Sequence, residues 1–156
     1  MLEELAAAVA ATALAQWVRV TPLAYPVLEV LHLWAIAIVF GSIVFIDLRI
    51  LGIGLRNGGA FPVDAWARAL LPWTLSAFAL AVLSGALMFL SRAADFVSNP
   101  AFAVKLTLIV LAALNAALLH LRDGLRRSSP VNRWQAILSI GCWLGVMAAG
   151  RWIAYV

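Results

Sequence analysis

Apolar residues form four long stretches along the chain, and shorter segments rich in polar residues separate them. The stretches cover about residues 26–50, 68–92, 101–122 and 133–155. A helix that crosses a bilayer needs about 20 mostly apolar residues, and each stretch is long enough. A helix also satisfies its own backbone hydrogen bonds in lipid, and no strand pattern interrupts these stretches. The pattern therefore predicts an all-α integral membrane protein, with residues 21–156 forming a bundle of four transmembrane helices.

The first 20 residues follow a different pattern. Their larger apolar side chains share one face at helical spacing: Leu2, Leu5, Val9, Ala13 and Trp17. The apolar run, residues 5–14, is too short to cross a bilayer. The segment begins with acidic residues, whereas a signal peptide begins with basic ones. We therefore expect residues 1–20 to form a short amphipathic helix on the membrane surface.

Composition supports this class of protein. Of the 156 residues, 65% are hydrophobic and only 12% are charged, whereas about a quarter of the residues in a soluble domain are charged. The net charge of +4 comes from basic residues at helix ends, so it indicates membrane topology and not binding of nucleic acid. The expected partner is the lipid bilayer, and a redox partner or a homo-oligomer is compatible with it.

The distribution of basic residues predicts an orientation. One set of helix ends carries seven arginines: Arg49, Arg56, Arg68, Arg122, Arg126, Arg127 and Arg133. The other set carries four basic residues: Arg19, Arg92, Lys105 and Arg151. Because the more basic side usually faces the cytoplasm, we expect a multi-pass protein of the bacterial inner membrane with both termini outside.

Three ionisable residues, Glu29, His32 and Asp47, interrupt the first apolar stretch. A charge that faces lipid at mid-depth costs several kcal/mol, so we expect these side chains to face the bundle. Intramembrane ionisable residues are also candidates for function. Asp47 lies near the inner helix end beside Arg49, and the two are expected to form an ion pair.

Counting residues from the helix ends places one group of polar and sulfur-containing side chains in an outer layer. Its members are Glu29, His32, Met88, Arg92, Lys105, Met147 and Arg151. His120 lies fifteen residues beyond Lys105, which is about 22 Å deeper at helical rise. His32 and His120 are the two candidate metal ligands, and this depth difference means that they cannot bind the same ion.

Several segments resemble an uncharacterised family of small bacterial integral membrane proteins. They are "YPVLEVLHLWAIAIVFGSIVFIDLRILGIG", "LLPWTL", "SGALMF", "NPAFAVKLTLIVLAALNAALLHLR" and "GRWIAY". A histidine in the first helix followed by "VKLTLIVLAALNAALLH" in the third also resembles the membrane part of CopD-type copper-resistance proteins. The same pair resembles HemJ-type protoporphyrinogen oxidases, which bind b-type haem. That resemblance implies a functional pair of a histidine and a lysine, which fall on His32 and Lys105.

Three functions compete on these observations. The first is a redox or electron-transfer protein that binds haem b in the outer layer, with an imidazole on the iron and cations near the propionates. The second is a membrane anchor or assembly subunit without catalytic activity. The third is transport or handling of copper, since imidazole and methionine suit that metal. No nucleotide-binding or nucleophile motif occurs, and enzymatic activity stays open.

Overall fold

The computed structural model describes residues 1–53, 63–122 and 129–156, and these residues form helices without any strand. In chain order the helices are α1 Leu2–Ala10, α2 Ala13–Val20, α3 Ala24–Leu51, α4 Val63–Ser91, α5 Ala93–Val97, α6 Pro100–Leu121 and α7 Pro130–Trp152. The all-α prediction is confirmed for this part of the chain. The predicted connectors "GIGLRNGG" and "RDGLRRSSP" lie mostly outside the described residues.

Three of the helices, α3, α4 and α6, are long and apolar enough to cross a membrane. The prediction of a membrane protein is confirmed to this extent. At 23 residues α7 is as long as α6, but its first half contains Asn132, Arg133 and Gln135. It is therefore not among the three, and the fourth span stays a prediction.

Helix ends follow the local sequence. Asn99 caps α6 because its side-chain oxygen accepts from the backbone N–H groups of Ala101 and Phe102, at 2.9 and 3.2 Å. Proline occupies the first helical position of both α6 and α7, where its missing N–H costs nothing. Gly52 ends α3 with a φ of +80°, a left-handed conformation that suits glycine.

The long helices pack side by side in the order α4, α3, α7, α6. Helices α6 and α7 pack closely against each other, since a Cβ on Gly145 of α7 would lie 2.9 Å from Cδ1 of Leu108 on α6. Between α4 and α6 the described contact is aromatic: Phe89 stacks on Phe102 with ring centroids 5.5 Å apart. Phe96 of α5 joins the same cluster, 5.2 Å from Phe102. Aromatic rings thus join α4 and α6, the first and last helices of this order, at one end of the bundle.

The N-terminal segment forms two helices, so the prediction of one helix over residues 1–20 is wrong. Thr12 breaks it, because its hydroxyl donates to the Val9 carbonyl at 2.8 Å and accepts from the Ala15 N–H at 3.4 Å. The side chains of Ala15 and Val18 in α2 are buried. Trp17 is 57% exposed, so the larger apolar side chains of α2 point away from the bundle.

Both N-terminal helices pack at the end of the bundle where α4 stops. α1 contacts α5 and α4, and α2 contacts α4 and α3. The guanidinium of Arg19 donates twice to the carbonyl oxygen of Ser91, at 2.7 and 3.1 Å, and so caps the end of α4. The chain's C-terminus lies at this end too, because the Asn99 amide donates to the carbonyls of Ile153 and Val156. We call this end the outer end and the opposite one the inner end.

Candidate cofactor site at the outer end

His32 projects from α3 against α4, where its Nδ1 lies 3.0 Å from Oγ of Ser84. The Ser84 hydroxyl donates its single proton to the carbonyl oxygen of Leu80 at 2.7 Å. With the hydroxyl proton on Leu80, Nδ1 is the donor in the contact with Ser84. We therefore assign the tautomer with the proton on Nδ1 and a lone pair on Nε2.

Gly85 allows His32 to pack closely against α4. A Cβ at position 85 would lie 3.1 Å from Cε1 and 3.5 Å from Nδ1 of His32. The glycine lets the imidazole of α3 lie directly against the backbone of α4. The ring thus faces the neighbouring helix, and the expectation that His32 faces the bundle is confirmed.

Lys105 enters the same region from α6. Its half-buried side chain runs along Gly150 of α7, where a Cβ would lie 3.5 Å from Nζ and 3.7 Å from Cε. The ammonium is close enough for its charge to act on the imidazole of His32. In the described part of the chain Lys105 has no ion pair with a carboxylate. The site therefore brings the Lys105 side chain, which has no carboxylate partner in the described part of the chain, within electrostatic reach of the His32 imidazole.

Glu29 does not belong to this interior. It is exposed and acts on Tyr25 through its charge, so the expectation that it faces the bundle is wrong. Glu29 lies about 60° from His32 around the helix axis. It is also one turn nearer the start of α3 at Ala24, and at that level its carboxylate is exposed.

The two outer arginines lie at the rim and already have protein partners. Arg92 lies over the ring of Tyr25 at 5.9 Å and 3.7 Å from Asp95. Arg151 donates to the Tyr155 hydroxyl at 3.0 Å and lies 5.4 Å from that ring's centroid. Both arginines are exposed. They lie at the same end of the bundle as the N-terminal helices, and their role as cofactor contacts stays a prediction.

The two candidate methionines differ in their position. Met88 is half-buried and lies one turn beyond Ser84 on α4, toward the outer end. Met147 is 43% exposed, while its neighbour Val146 is buried. Met147 therefore lies on the exposed side of α7. Met88, by contrast, lies on the same face of α4 as Ser84, the residue that contacts His32.

His120 lies apart from the site. It is exposed, and its Nδ1 lies 2.8 Å from the carbonyl oxygen of Ala116 on the same helix. Since α6 is continuous from Pro100 to Leu121, fifteen residues separate it from Lys105 by about 22 Å. The prediction that the two histidines occupy different layers is confirmed.

Asp47 lies near the inner end and is only 4% exposed. The hydroxyl of Ser139 on α7 lies within hydrogen-bonding reach of its carboxyl group. The predicted ion pair with Arg49 is wrong, because residues two apart on a helix point about 200° away from each other. Asp47 thus faces α7.

Two residues that shape the site were missed in the sequence. Ser84 orients the imidazole and Gly85 admits it, yet both look like ordinary small residues of an apolar helix. The available signal was the "SG" pair, since a serine beside a glycine marks a point of close helix approach in a membrane. Without the partner helix, that signal could not be assigned to His32.

The chain belongs to a protein family that is described as a family of unknown function (DUF6644), whose profile matches residues 6–156. The expectation of an uncharacterised family is confirmed. No curated protein and no solved structure matches the chain. The likeness to CopD-type and HemJ-type proteins therefore stays a prediction.

Proposed function

We propose that this member of a family of unknown function is a membrane-embedded redox protein that binds b-type haem through Nε2 of His32. The observation that carries the proposal is the hydrogen bond from Nδ1 to Ser84. Histidines that bind metals usually donate their other ring N–H to a fixed acceptor, which sets the tautomer and the ring orientation. His32 has that arrangement at the interface of two apolar helices.

The surroundings of His32 suit the two ends of a haem molecule. A haem has an apolar body, for which a helix bundle provides facing side chains, and two propionates, which pair with cations. Lys105 supplies a cation without a carboxylate partner among the described residues. Gly85 and Gly150 let the imidazole and the lysine pack directly against α4 and α7. When bound, haem supplies one-electron chemistry, while His32 holds the iron, Ser84 orients the imidazole and Lys105 binds acidic groups.

The proposal includes a membrane arrangement. α7 acts as the fourth span, since its 23 residues extend about 34 Å and it packs along both α3 and α6. α1 and α2 lie on the outer surface with Trp17 toward the headgroups. Both termini face outward from the bacterial inner membrane, and the electron partner is a redox protein or a second copy of the chain.

The alternatives receive less support. A copper site needs several soft or borderline ligands, and no group of three His, Cys, Asp or Glu side chains comes together in the described ranges. Met147 is 43% exposed at the surface of α7. A membrane anchor fits the small size of the chain, but it gives no reason for a half-buried lysine beside an oriented imidazole.

An absorption spectrum tests the proposal. The protein is purified in detergent from cells supplied with a haem precursor, together with His32→Ala and the control His120→Ala. We expect a Soret band in the wild type that is lost or strongly shifted in His32→Ala and retained in His120→Ala. A colourless wild-type protein with a normal helical circular dichroism spectrum would overturn the haem proposal, and equimolar copper in that sample would favour copper handling.

A further inference from the structure

A buried carboxyl group near the inner end is independent of the proposed haem site. Asp47 is 4% exposed, and within the described residues its Oδ2 is buried without a hydrogen-bond partner. The Ser139 hydroxyl lies within hydrogen-bonding reach of its carboxyl group. A buried carboxylate normally requires a cation or several donors, because the charge is costly away from water. The arrangement leaves one oxygen of the carboxyl group without the donor or cation that the charged form needs.

The charged groups around Asp47 do not supply that partner. On its own helix, Arg49 points to another side. On α4, Asp64 and Arg68 pair with each other at 2.7 Å. On α7, Arg133 is exposed, one turn and a half below Ser139. Within the described residues Asp47 forms no ion pair.

A stripe of polar side chains on α7 leads from the inner end to Asp47. Asn132, Gln135 and Ser139 follow one another at spacings of three and four residues, which is one face of a helix. Asn132 and Ser139 are buried, and Oε1 of Gln135 is a buried acceptor without a partner among the described residues. Ser139 lies nine residues beyond the start of α7 at Pro130, or about 13 Å into the bundle. Such a stripe gives water or a proton hydrogen-bonding positions where apolar side chains would otherwise lie.

We propose that Asp47 is a proton-binding site. The polar stripe of α7 connects it to the membrane surface at the inner end of the bundle. A hydronium ion at the inner end gives up one proton, which forms an O–H bond at Oδ2 and leaves a water molecule. The reverse step returns the proton to water. In the protonated state the carboxyl group is neutral, so the cost of a buried charge is removed.

Infrared spectroscopy tests this assignment directly, because a protonated carboxyl group has a C=O stretch at higher frequency than the amide I band. The full-length protein in lipid vesicles is compared with Asp47→Asn, which keeps the side-chain shape. The control is Asp95→Asn, which removes an exposed carboxylate. We expect a carboxylic-acid band at neutral pH that Asp47→Asn abolishes and Asp95→Asn retains. Ser139→Ala should move the band to higher frequency, because the carbonyl loses its hydrogen bond.

A second measurement tests whether the polar stripe of α7 is the route by which protons reach Asp47. In heavy water the band shifts as deuterium replaces the proton, and Gln135→Leu should slow that shift relative to the wild type. A spectrum without any band that depends on Asp47 would overturn the proposal. A band that disappears when Na⁺ is added at constant pH would overturn it in favour of a cation site. Neither result depends on haem, since the experiment is performed on haem-free protein.

Discussion

Nδ1 of His32 and Oγ of Ser84 lie 3.0 Å apart across the interface of α3 and α4. Ser84 in turn donates to Leu80, so a chain of donors runs from the imidazole to the backbone of α4. This chain fixes both the tautomer and the plane of the ring. It leaves Nε2 as a lone-pair donor, the form in which histidine binds metals.

Removing the Ser84 hydroxyl should weaken this arrangement without removing the ligand. In Ser84→Ala the Nδ1–H loses its fixed acceptor, and loss of such a partner usually lowers metal affinity by about 10- to 100-fold. Titration of haem into the apoprotein measures the change. Ser91→Ala is the matched control, because Ser91 is also buried on α4 but bonds to the carbonyl of Met88. Equal affinities for the two variants would show that Ser84 has no role in orienting His32.

A methyl group at position 85 should disturb the site by another route. In Gly85→Ala the new Cβ would lie 3.1 Å from Cε1 of His32, so the ring must move away from Ser84. We expect reduced haem occupancy after purification, measured by absorbance per protein. Gly41→Ala is the control, because a Cβ there meets no atom within 4 Å. It should keep its haem and gain about 0.5–1 kcal/mol of stability, since alanine favours helix over glycine. Full occupancy in Gly85→Ala would contradict the close packing of the imidazole.

The long helices were predictable because each apolar stretch is continuous over the length that a membrane requires. Depth was predictable as well: counting residues placed His32 and Lys105 at one level, and in the structure the Lys105 charge is within electrostatic reach of the imidazole. Orientation around the helix axis was harder. A helix that is apolar on all sides contains little periodicity, so the sequence did not show that Glu29 is turned to the surface.

Short elements were also missed. The five residues of α5 are too few to show a period, and the alanine-rich start of the chain conceals the break at Thr12 between α1 and α2. The absent Asp47–Arg49 pair was predictable from spacing alone, because residues two apart do not face each other. The hydrogen bond between Asp47 and Ser139 could not be predicted, since it depends on how α3 packs on α7.

The orientation of the chain can be tested with single cysteines. Cys142 is buried, and we would replace it with alanine to remove the background. We expect Glu4→Cys to react with an impermeant maleimide added to intact cells and Ser128→Cys to react only after lysis, because the seven-arginine side should face the cytoplasm. Reaction at position 128 in intact cells would reverse the proposed topology.

The most direct test of the central claim is chemical rescue of the ligand itself. His32→Gly removes the imidazole and leaves a space that free imidazole can enter. If Nε2 of His32 binds the iron, this variant should lose the wild-type Soret band, and added imidazole should restore the band toward its wild-type position. His120→Gly should show the wild-type band with or without imidazole. An unchanged band in His32→Gly before imidazole is added would contradict the assignment of His32 as the haem ligand.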